Sequence, residues 1–289
     1  MGNGTSMEET MNTNISEAEE LEKIEIQLLL QALYEWYGFD YRDYAYNSMK
    51  RRIWHRVHSE KLTTITSLLD KVLRDPQCLQ RLLADFSINV TEMFRDPLFF
   101  LEFREKVVPM LRTYPSIRIW HAGCSTGEEV YSMAMLLQEE GLYDKTKIYA
   151  TDINANVLKS AKNGIFPLEY MKKYTSNYLQ AGGNRAFSDY YSVVHNGVKF
   201  HPYLTKNIVF AQHNLVVDRS FNEFHVILCR NVLIYFNKSL QKKVHELFYE
   251  SLGMFGILGL GDKETIHYTD VTSRYEEISV KQKLYKKVK

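Results

Sequence analysis

Residues 117–131 read Ile-Arg-Ile-Trp-His-Ala-Gly-Cys-Ser-Thr-Gly-Glu-Glu-Val-Tyr. A short hydrophobic run with β-branched residues ends at Gly123, and an amphipathic stretch begins directly after Gly127. A strand, a glycine turn and a helix in this order allow an α/β sheet to present backbone N–H groups to a nucleotide-like ligand. This stretch therefore predicts an α/β fold with a ligand site at the carboxyl end of a strand.

The two acids after the turn indicate the charge of that ligand. Gly123 and Gly127 have the spacing Gly-x-x-x-Gly, which departs from the dinucleotide fingerprint. Glu128 and Glu129 open the helix, where negative side chains suit the helix dipole but repel a pyrophosphate. A cationic ligand is favoured instead, and S-adenosylmethionine carries both an ammonium and a sulfonium group. The departure from the dinucleotide pattern thus points to methyl transfer.

A second buried strand supports this interpretation. Residues 147–152 read Lys-Ile-Tyr-Ala-Thr-Asp, and Asp152 lies 25 residues beyond Gly127. An acid at the tip of the second strand can accept hydrogen bonds from both ribose hydroxyls. Asp is also a common N-cap residue, and a helix is expected to begin near Asn156. A capping role for Asp152 therefore stays open.

The chain before this sheet has helical periodicity. Residues 1–19 are polar and are predicted to form a disordered tail. Helical spacing of apolar residues starts near Glu20 and breaks at Gly38, and further helices are predicted over residues 44–59, 64–73 and 76–86. Apolar and polar residues do not alternate with period two in this region, so no strand is indicated. Residues 20–92 are therefore predicted to be an all-helical N-terminal domain with its linker.

The remainder of the chain, residues 93–289, is predicted to be one methyltransferase domain. From Arg118 onward the strand and helix patterns alternate, which predicts a mostly parallel sheet with both faces covered. Residues 193–200 have a hairpin pattern with Asn196 and Gly197 at the turn. This hairpin predicts a small antiparallel β-subdomain, at about residues 187–206, inserted in the domain.

Composition limits the class of protein. The chain has 289 residues, of which 45% are hydrophobic and 25% charged, as in a soluble globular protein with a substantial core. Its net charge of +1 argues against nucleic acid as the dominant partner. Three scattered cysteines suggest no disulfide framework, and no metal site is expected. No apolar run reaches the ~18 residues that cross a bilayer, so a cytoplasmic protein without membrane insertion is expected, as a monomer.

Five segments in a fixed order resemble a known family. They are residues 89–97 (Asn-Val-Thr-Glu-Met-Phe-Arg-Asp-Pro), 122–129 (Ala-Gly-Cys-Ser-Thr-Gly-Glu-Glu), 150–153 (Ala-Thr-Asp-Ile), 214–215 (Asn-Leu) and 229–236 (Cys-Arg-Asn-Val-Leu-Ile-Tyr-Phe). From about residue 30 to its C-terminus the chain resembles the CheR-type protein-glutamate O-methyltransferases of bacterial chemotaxis. The resemblance implies a Rossmann-like sheet that binds S-adenosylmethionine and releases S-adenosyl-L-homocysteine. It also implies that the enzyme methylates glutamate carboxylates on the helical cytoplasmic region of chemoreceptors.

The resemblance also implies which residues form the site. Arg95 and Tyr235 are expected at the active centre, where they would align the acceptor carboxylate. Glu128, rather than Glu129, is expected to take the cofactor's amino group. The full set expected to bind the cofactor is Asn89, Thr91, Arg95, Gly123, Glu128, Asp152, Asn214, Leu215, Arg230 and Asn231.

Structural alternatives exist for three residues in or beside these segments. Arg95 could pair with the neighbouring Asp96 instead of a substrate carboxylate. Thr91 could cap a helix that begins at Glu92. His121 stands where the family has a small residue, and it could contact the ligand or pack in the core.

The chemistry of the acceptor explains why no catalytic base stands out. A glutamate side chain has a pKa of about 4.3, so it is already anionic at neutral pH and needs no general base. The chain contains no convincing Ser-His-Asp set. The expected task of the enzyme is to align and desolvate the carboxylate and the methyl group.

The helix predicted over residues 44–59 is conspicuously basic. It carries Lys50, Arg51, Arg52, His55, Arg56 and His58. Such a face can attract an acidic protein partner, and in the family the helical domain is thought to approach the receptor. The alternative is an ordinary solvated face. The hairpin loop near Asn196 is short and has few glycines, so binding of a receptor's C-terminal pentapeptide by strand addition is doubtful.

Two other functions remain open at the level of sequence. The same fold could methylate a nucleic acid or a small molecule, because fold does not determine the substrate. The chain could also be a non-catalytic scaffold that binds S-adenosylmethionine in a signalling complex.

Overall fold

A computed structural model describes residues 5–86, 91–195 and 197–289, with side chains from residue 17 onward. The chain divides into two compact units, Met1–Ile88 and Asn89–Lys289. In the described part of the chain, no helix combines the length and apolar character required to span a bilayer.

The first unit consists of helices in its described residues. They are α1 (Thr5–Tyr37), α2 (Tyr46–Ser59), α3 (Ile65–Arg74) and α4 (Pro76–Phe86). Thr64 caps α3, and its side chain accepts a hydrogen bond from the backbone N–H of Ser67. Helix α1 begins at Thr5 and not near Glu20, so it includes most of the segment predicted to be a disordered tail. Residues 5–19 contain no glycine or proline to stop a helix, which the polar composition did not reveal.

The structure corrects the expected role of two arginines on α2. Arg52 is buried and donates a hydrogen bond of 2.7 Å to the backbone carbonyl of Phe86. Arg56 pairs with Asp85 at 2.7 Å and with Glu60 at 3.2 Å. Both guanidinium groups are therefore engaged in contacts within the first unit.

Of the other basic residues of α2, one is paired within the first unit and three are exposed. Lys50 forms an ion pair with Glu22 of α1. Arg51, His55 and His58 lie on the exposed side of α2. The basic stretch therefore gives a smaller positive surface than its sequence predicts.

The second unit begins with short helices and then forms its main sheet. Its helices are α5 (Pro97–Glu102), α6 (Val108–Arg112), α7 (Glu128–Glu139), α8 (Ala155–Asn163), α9 (Met171–Gln180) and α10 (Lys238–Ser251), with a π-helical turn at Phe103–Val107 between α5 and α6. Its strands are β1 (Ile117–Ala122), β2 (Thr146–Asp152), β3 (Ile165–Phe166), β4 (Tyr191–Val194), β5 (Gly197–Phe200), β6 (Ile208–Gln212), β7 (Phe224–Cys229), β8 (Leu252–Leu260), β9 (Tyr275–Ser279) and β10 (Leu284–Lys287).

The main sheet has seven strands in the order β6-β2-β1-β7-β8-β10-β9. The first five of these pair in parallel, and β10 pairs antiparallel with β8 and β9. Ile119 and Trp120 of β1 are adjacent, so they point to opposite faces, and both are fully buried. The predicted mostly parallel sheet with covered faces is confirmed.

A small antiparallel sheet is inserted between β2 and β6. Its strand order is β3-β5-β4, and β4 pairs with β5 from Tyr191↔Phe200 to Val194↔Gly197. The predicted hairpin is therefore present, although Asn196 lies outside the described residues. The third strand, β3, has only two residues and was not expected from the sequence.

Candidate functional site

The carboxyl ends of four parallel strands meet at one edge of the main sheet, called the site edge below. The segments that follow β1, β2, β6 and β7 begin at Gly123, Ile153, His213 and Arg230. Backbone bonds tie these segments together, because Gly123 N–H donates to the Thr151 carbonyl at 2.9 Å and His213 N–H donates to the Asp152 carbonyl at 3.2 Å. The structure therefore brings the motifs after these strands to one place, as parallel pairing requires.

The glycine turn after β1 depends on two glycines with left-handed backbones. The φ angles are 81° at Gly123 and 97° at Gly127. A Cβ atom at Gly123 would lie 2.5 Å from Val232 Cγ2, and one at Gly127 would lie 2.9 Å from Ala161 Cβ. Both positions therefore require glycine for conformation and for close packing.

Asp152 lies at the tip of β2 and faces the glycine turn. Its carboxylate accepts hydrogen bonds from the backbone N–H of Ser125 and of Asn154, both at 2.9 Å. Burial raises the pKa of Asp152, and these backbone donors only partly oppose that shift. The N-cap of α8 is Asn154, so the capping role left open for Asp152 is wrong. The carboxylate remains suited to accept further hydrogen bonds from a diol.

Glu128 carries a buried carboxylate at the start of α7. The hydroxyl of Thr126 donates to it at 2.7 Å. Among the described residues, no cationic side chain forms an ion pair with Glu128, and burial raises its pKa. A buried carboxylate without a counter-charge is stabilised by a cationic ligand.

Glu129, the next residue, already has two partners. Its carboxylate lies 2.9 Å from His121 Nδ1 and 2.9 Å from a guanidinium nitrogen of Arg230. Burial alone would raise the pKa of Glu129, but the His121 hydrogen bond and the Arg230 charge bring it below its ordinary value. The arrangement supports Glu128 as the acid left for a cation. His121 packs inside the protein, in a pair that the sequence did not reveal.

Arg230 was expected to form part of the cofactor wall, but its guanidinium is engaged elsewhere. Besides Glu129, it donates to the Asp96 carboxylate at 2.8 Å and to the Arg95 carbonyl at 3.2 Å. It also lies 4.0 Å from the centre of the Phe99 ring. The Arg230 side chain thus fastens the Arg95 segment to α7.

Residues 91–96 form the segment that carries Arg95. No helix begins at Glu92, because α5 starts at Pro97 with Asp96 as its N-cap, so the capping role of Thr91 is wrong. The segment is held by Phe94 N–H, which donates to Ser132 Oγ at 2.8 Å. Thr91 and Arg95 are half-buried within it. Asn89, the first expected cofactor residue, lies outside the described residues.

The turn after β7 carries Asn231 and Tyr235, and a buried acid organises it. Glu264 accepts hydrogen bonds from the N–H groups of Asn231 (3.0 Å), Val232 (2.9 Å) and Leu233 (2.8 Å). Ile234 at 3.4 Å and Gly261 at 2.7 Å complete the set. Burial raises the pKa of Glu264, although these donors oppose the shift. No pattern in the sequence around Glu264 indicated this role.

The segment after β6 places Asn214 and Leu215 at the site edge. Both are half-buried. The Asn214 side-chain oxygen accepts from Val216 N–H at 2.9 Å, and Asn214 N–H donates to the Asp218 carboxylate at 2.7 Å. The Asn214 side chain therefore stabilises its own turn.

Backbone strain concentrates in these segments. Seven described residues other than glycine have a positive φ angle, and four belong to the site: Phe94 (50°), Asp96 (56°), Ser125 (50°) and Asn231 (61°). A left-handed backbone conformation at a residue other than glycine costs about 1–3 kcal/mol of conformational free energy. It persists where surrounding contacts enforce it, often at functional sites.

The cysteines of the site edge do not suit catalysis by a thiolate. Cys124 and Cys229 are buried and not in a disulfide, and burial raises the pKa of both thiols. Within the described ranges, no cluster of His, Cys, Asp and Glu residues is arranged to hold a metal ion.

Two family models match the chain. The model described as CheR methyltransferase, SAM binding domain, matches residues 89–283, and the model described as CheR methyltransferase, all-alpha domain, matches residues 24–87. The boundary between the two matches coincides with the boundary between the two compact units.

Curated relatives are similar over most of the chain. It is 47% identical over 264 residues to the "Putative methyltransferase Cher3" of Pseudomonas putida, which covers 91% of this chain and 97% of that protein. It is 31% identical to a chemotaxis protein methyltransferase of Listeria monocytogenes (79% of this chain, 85% of that protein). The identity to the chemotaxis protein methyltransferase of Escherichia coli is 28% (83% and 84%).

Proposed function

This chain belongs to the CheR methyltransferase family and is an S-adenosylmethionine-dependent methyltransferase of chemotaxis, and we propose that it forms methyl esters on glutamate side chains of chemoreceptors. The relatives from Listeria monocytogenes and Escherichia coli are named chemotaxis protein methyltransferases, which supports a receptor as the protein substrate. The proposed reaction takes place in the cytoplasm, where the helical region of such a receptor lies.

The single observation that carries the proposal is the pair of acids at the site edge. Glu128 is a buried carboxylate without a cationic partner in the described residues, and Asp152 ends the neighbouring strand. In the proposal Glu128 binds the ammonium group of S-adenosylmethionine, and Asp152 accepts the ribose hydroxyls. The turn at Asn214 and Leu215 borders the adenine, and the glycine turn supplies backbone contacts.

The acceptor carboxylate is aligned by Arg95 and Tyr235 in this proposal. The guanidinium of Arg95 can hold a carboxylate with two parallel hydrogen bonds, and the Tyr235 hydroxyl can donate a further one. The acceptor is already ionised, so these residues position it and exclude water and do not remove a proton. When bound, S-adenosylmethionine supplies the electrophilic methyl group.

The roles of Arg230 and Glu264 follow from the contacts around these two residues. Arg230 holds the Arg95 carbonyl and the Asp96 carboxylate, and Glu264 holds the turn before Tyr235. We propose that both act by positioning. Asn231 and the Arg230 backbone line the cofactor side of the same turn.

The proposal is tested with the purified full chain, methyl-labelled S-adenosylmethionine and the cytoplasmic fragment of a chemoreceptor. The expected product is a labelled protein that releases labelled methanol in alkali, because a methyl ester is base-labile. An alkali-stable label would indicate methylation of an amine or another acceptor. Binding of S-adenosyl-L-homocysteine without any turnover would indicate a scaffold instead of an enzyme.

A further inference from the structure

Residues 159–173 are a segment of the second unit with many exposed side chains. The stretch includes the second half of α8, strand β3, a short 3₁₀ turn at Leu168–Tyr170 and the start of α9. It carries four exposed lysines, Lys159, Lys162, Lys172 and Lys173, and one exposed acid, Glu169. In a chain with 36 basic and 35 acidic residues, this is a local concentration of positive charge.

The same surface exposes apolar side chains. Ile165 is 43% exposed, Leu168 54% and Tyr170 47%. A single exposed apolar residue is normal, but three within six residues, bordered by lysines on both sides, resemble the centre and rim of a binding surface. In the described part of the chain, Lys159, Lys162 and Lys172 have no ion pair.

The segment is connected to the site at both of its ends. Helix α8 follows β2, whose last residue is Asp152. On α9, Lys173 pairs with Glu92 at 2.7 Å, and Asn177 donates to the Met93 carbonyl at 3.0 Å. Glu92 and Met93 belong to the segment that carries Arg95. A partner bound on residues 159–173 would therefore lie beside the proposed acceptor site.

We propose that residues 159–173 are the docking surface for the acidic helical region of the protein substrate. This inference rests on the proposed function, because it takes the substrate to be a helix that presents several glutamates. Such a helix has both features that the surface requires, carboxylates for the lysines and an apolar stripe for Ile165, Leu168 and Tyr170. The basic stretch on α2 is a weaker candidate, since Arg52 and Arg56 are engaged inside the helical unit.

The test uses the full-length double variant Lys159→Glu/Lys172→Glu. Charges at the rim of an interface act mainly on association, so we expect KM for the receptor fragment to rise roughly tenfold at low salt and less at high salt. The dissociation constant for S-adenosylmethionine and kcat at saturating receptor should change less than twofold. The matched control is Lys147→Glu/Lys281→Glu, which changes two exposed lysines away from this surface by the same charge.

A second variant tests the apolar part of the surface. Leu168→Asn should raise KM for the receptor about threefold or more without the salt dependence, because it removes an apolar contact and no charge. Its thermal unfolding should match that of the wild type, since Leu168 is more than half exposed.

A binding measurement separates this inference from the proposed function. Titration of a fluorescent receptor fragment reports docking whether or not methyl transfer occurs. Weaker binding by the double variant, but not by the control, supports the docking surface even if no ester forms. The inference is overturned if the double variant and the control bind the receptor fragment equally and have the same KM. It is also overturned if the double variant loses binding to anionic lipid vesicles in a sedimentation assay but still binds the receptor fragment like the wild type.

Discussion

Two adjacent carboxylates, Glu128 and Glu129, have different environments at the start of α7. Among the residues that the structure describes, Glu128 has the Thr126 hydroxyl as its one side-chain partner, whereas Glu129 is paired with His121 and Arg230. Since both are glutamates at a helix start, the difference comes entirely from their neighbours. A matched pair of substitutions therefore distinguishes the binding acid from the structural one.

Glu128→Gln should weaken S-adenosylmethionine binding about 10- to 100-fold, because a hydrogen bond to a charged group contributes roughly 1.5–3 kcal/mol. The free energy of unfolding of the unliganded protein should not fall, since the substitution removes a buried, uncompensated charge. Isothermal titration calorimetry and urea unfolding measure the two effects.

Glu129→Gln is the control and should have the opposite profile. It leaves Arg230 with one carboxylate partner fewer, so the free energy of unfolding should fall by roughly 1–3 kcal/mol. Cofactor affinity should change less than in Glu128→Gln. If Glu129→Gln weakened cofactor binding more than Glu128→Gln, the assignment of the two acids would have to be exchanged.

Tyr235→Phe isolates the proposed alignment of the acceptor. Removing the hydroxyl should lower kcat about tenfold or more, while the dissociation constant for S-adenosylmethionine changes little, because the contact is made to the acceptor carboxylate. Steady-state kinetics with saturating receptor check this. A kcat within about twofold of the wild type would refute the role.

At the scale of elements, the turn that carries Tyr235 is formed around Glu264. Backbone N–H groups of Asn231, Val232 and Leu233 converge on this one carboxylate. The left-handed backbone of Asn231, with φ 61°, is held by the same contacts. Glu264 thus holds the turn in position through these backbone contacts.

Glu264→Gln should therefore lower kcat at least fivefold. The NH₂ group of the new amide is a donor, so it cannot accept the hydrogen bonds of the backbone N–H groups that one carboxylate oxygen accepts. The effect should pass through Tyr235, so adding Glu264→Gln to Tyr235→Phe should cause little further loss of kcat. Glu264→Asp should restore part of kcat. Fully additive losses in the double variant would show that Glu264 acts independently of Tyr235.

The elements themselves were largely predictable. The strand, glycine turn and helix at residues 117–131 were confirmed as β1 and α7, because apolar periodicity and the glycines specify them locally. The alternative in which Thr91 caps a helix at Glu92 was wrong, since residues 91–96 are fixed by distant groups such as Ser132 and Arg230. Local sequence patterns do not reveal contacts between residues that are far apart in the chain.

At the scale of the whole molecule, burial of a histidine gives stability a pH dependence. His245 on α10 is fully buried, and burial lowers its pKa from 6.5 to about 4. The unfolded chain therefore binds a proton between these values that the folded protein does not. The contribution of His245 to stability is constant above pH 6.5 and falls as the pH decreases toward 4.

We expect wild-type protein to lose roughly 2 kcal/mol from this residue between pH 7 and pH 5. The measurement is urea unfolding of the wild type and of His245→Leu at both pH values. From pH 7 to pH 5 the wild type should lose that much more unfolding free energy than His245→Leu does. A difference that is independent of pH would exclude His245 as the source.

The basic stretch on α2 shows what charge counting along a chain can and cannot predict. The sequence correctly indicates the number of cations. It does not indicate that Arg52 donates to the Phe86 carbonyl or that Arg56 pairs with Asp85, because the partners lie some 30 residues away. The lysines of residues 159–173 are less concentrated in the sequence, but the fold leaves each of them exposed.

The sequence by itself determined the family, the parallel sheet, the methyl donor and the order of the site segments. These properties depend on local periodicity, on glycines and on short motifs, all of which can be recognised in the sequence. Only the tertiary structure decided which acid lacks a cationic partner among the described residues, that Arg230 holds the Arg95 segment, and that Glu264 supports the turn before Tyr235. The physical reason is that burial and pairing of charges depend on groups that are distant in the chain and become neighbours only in the folded protein.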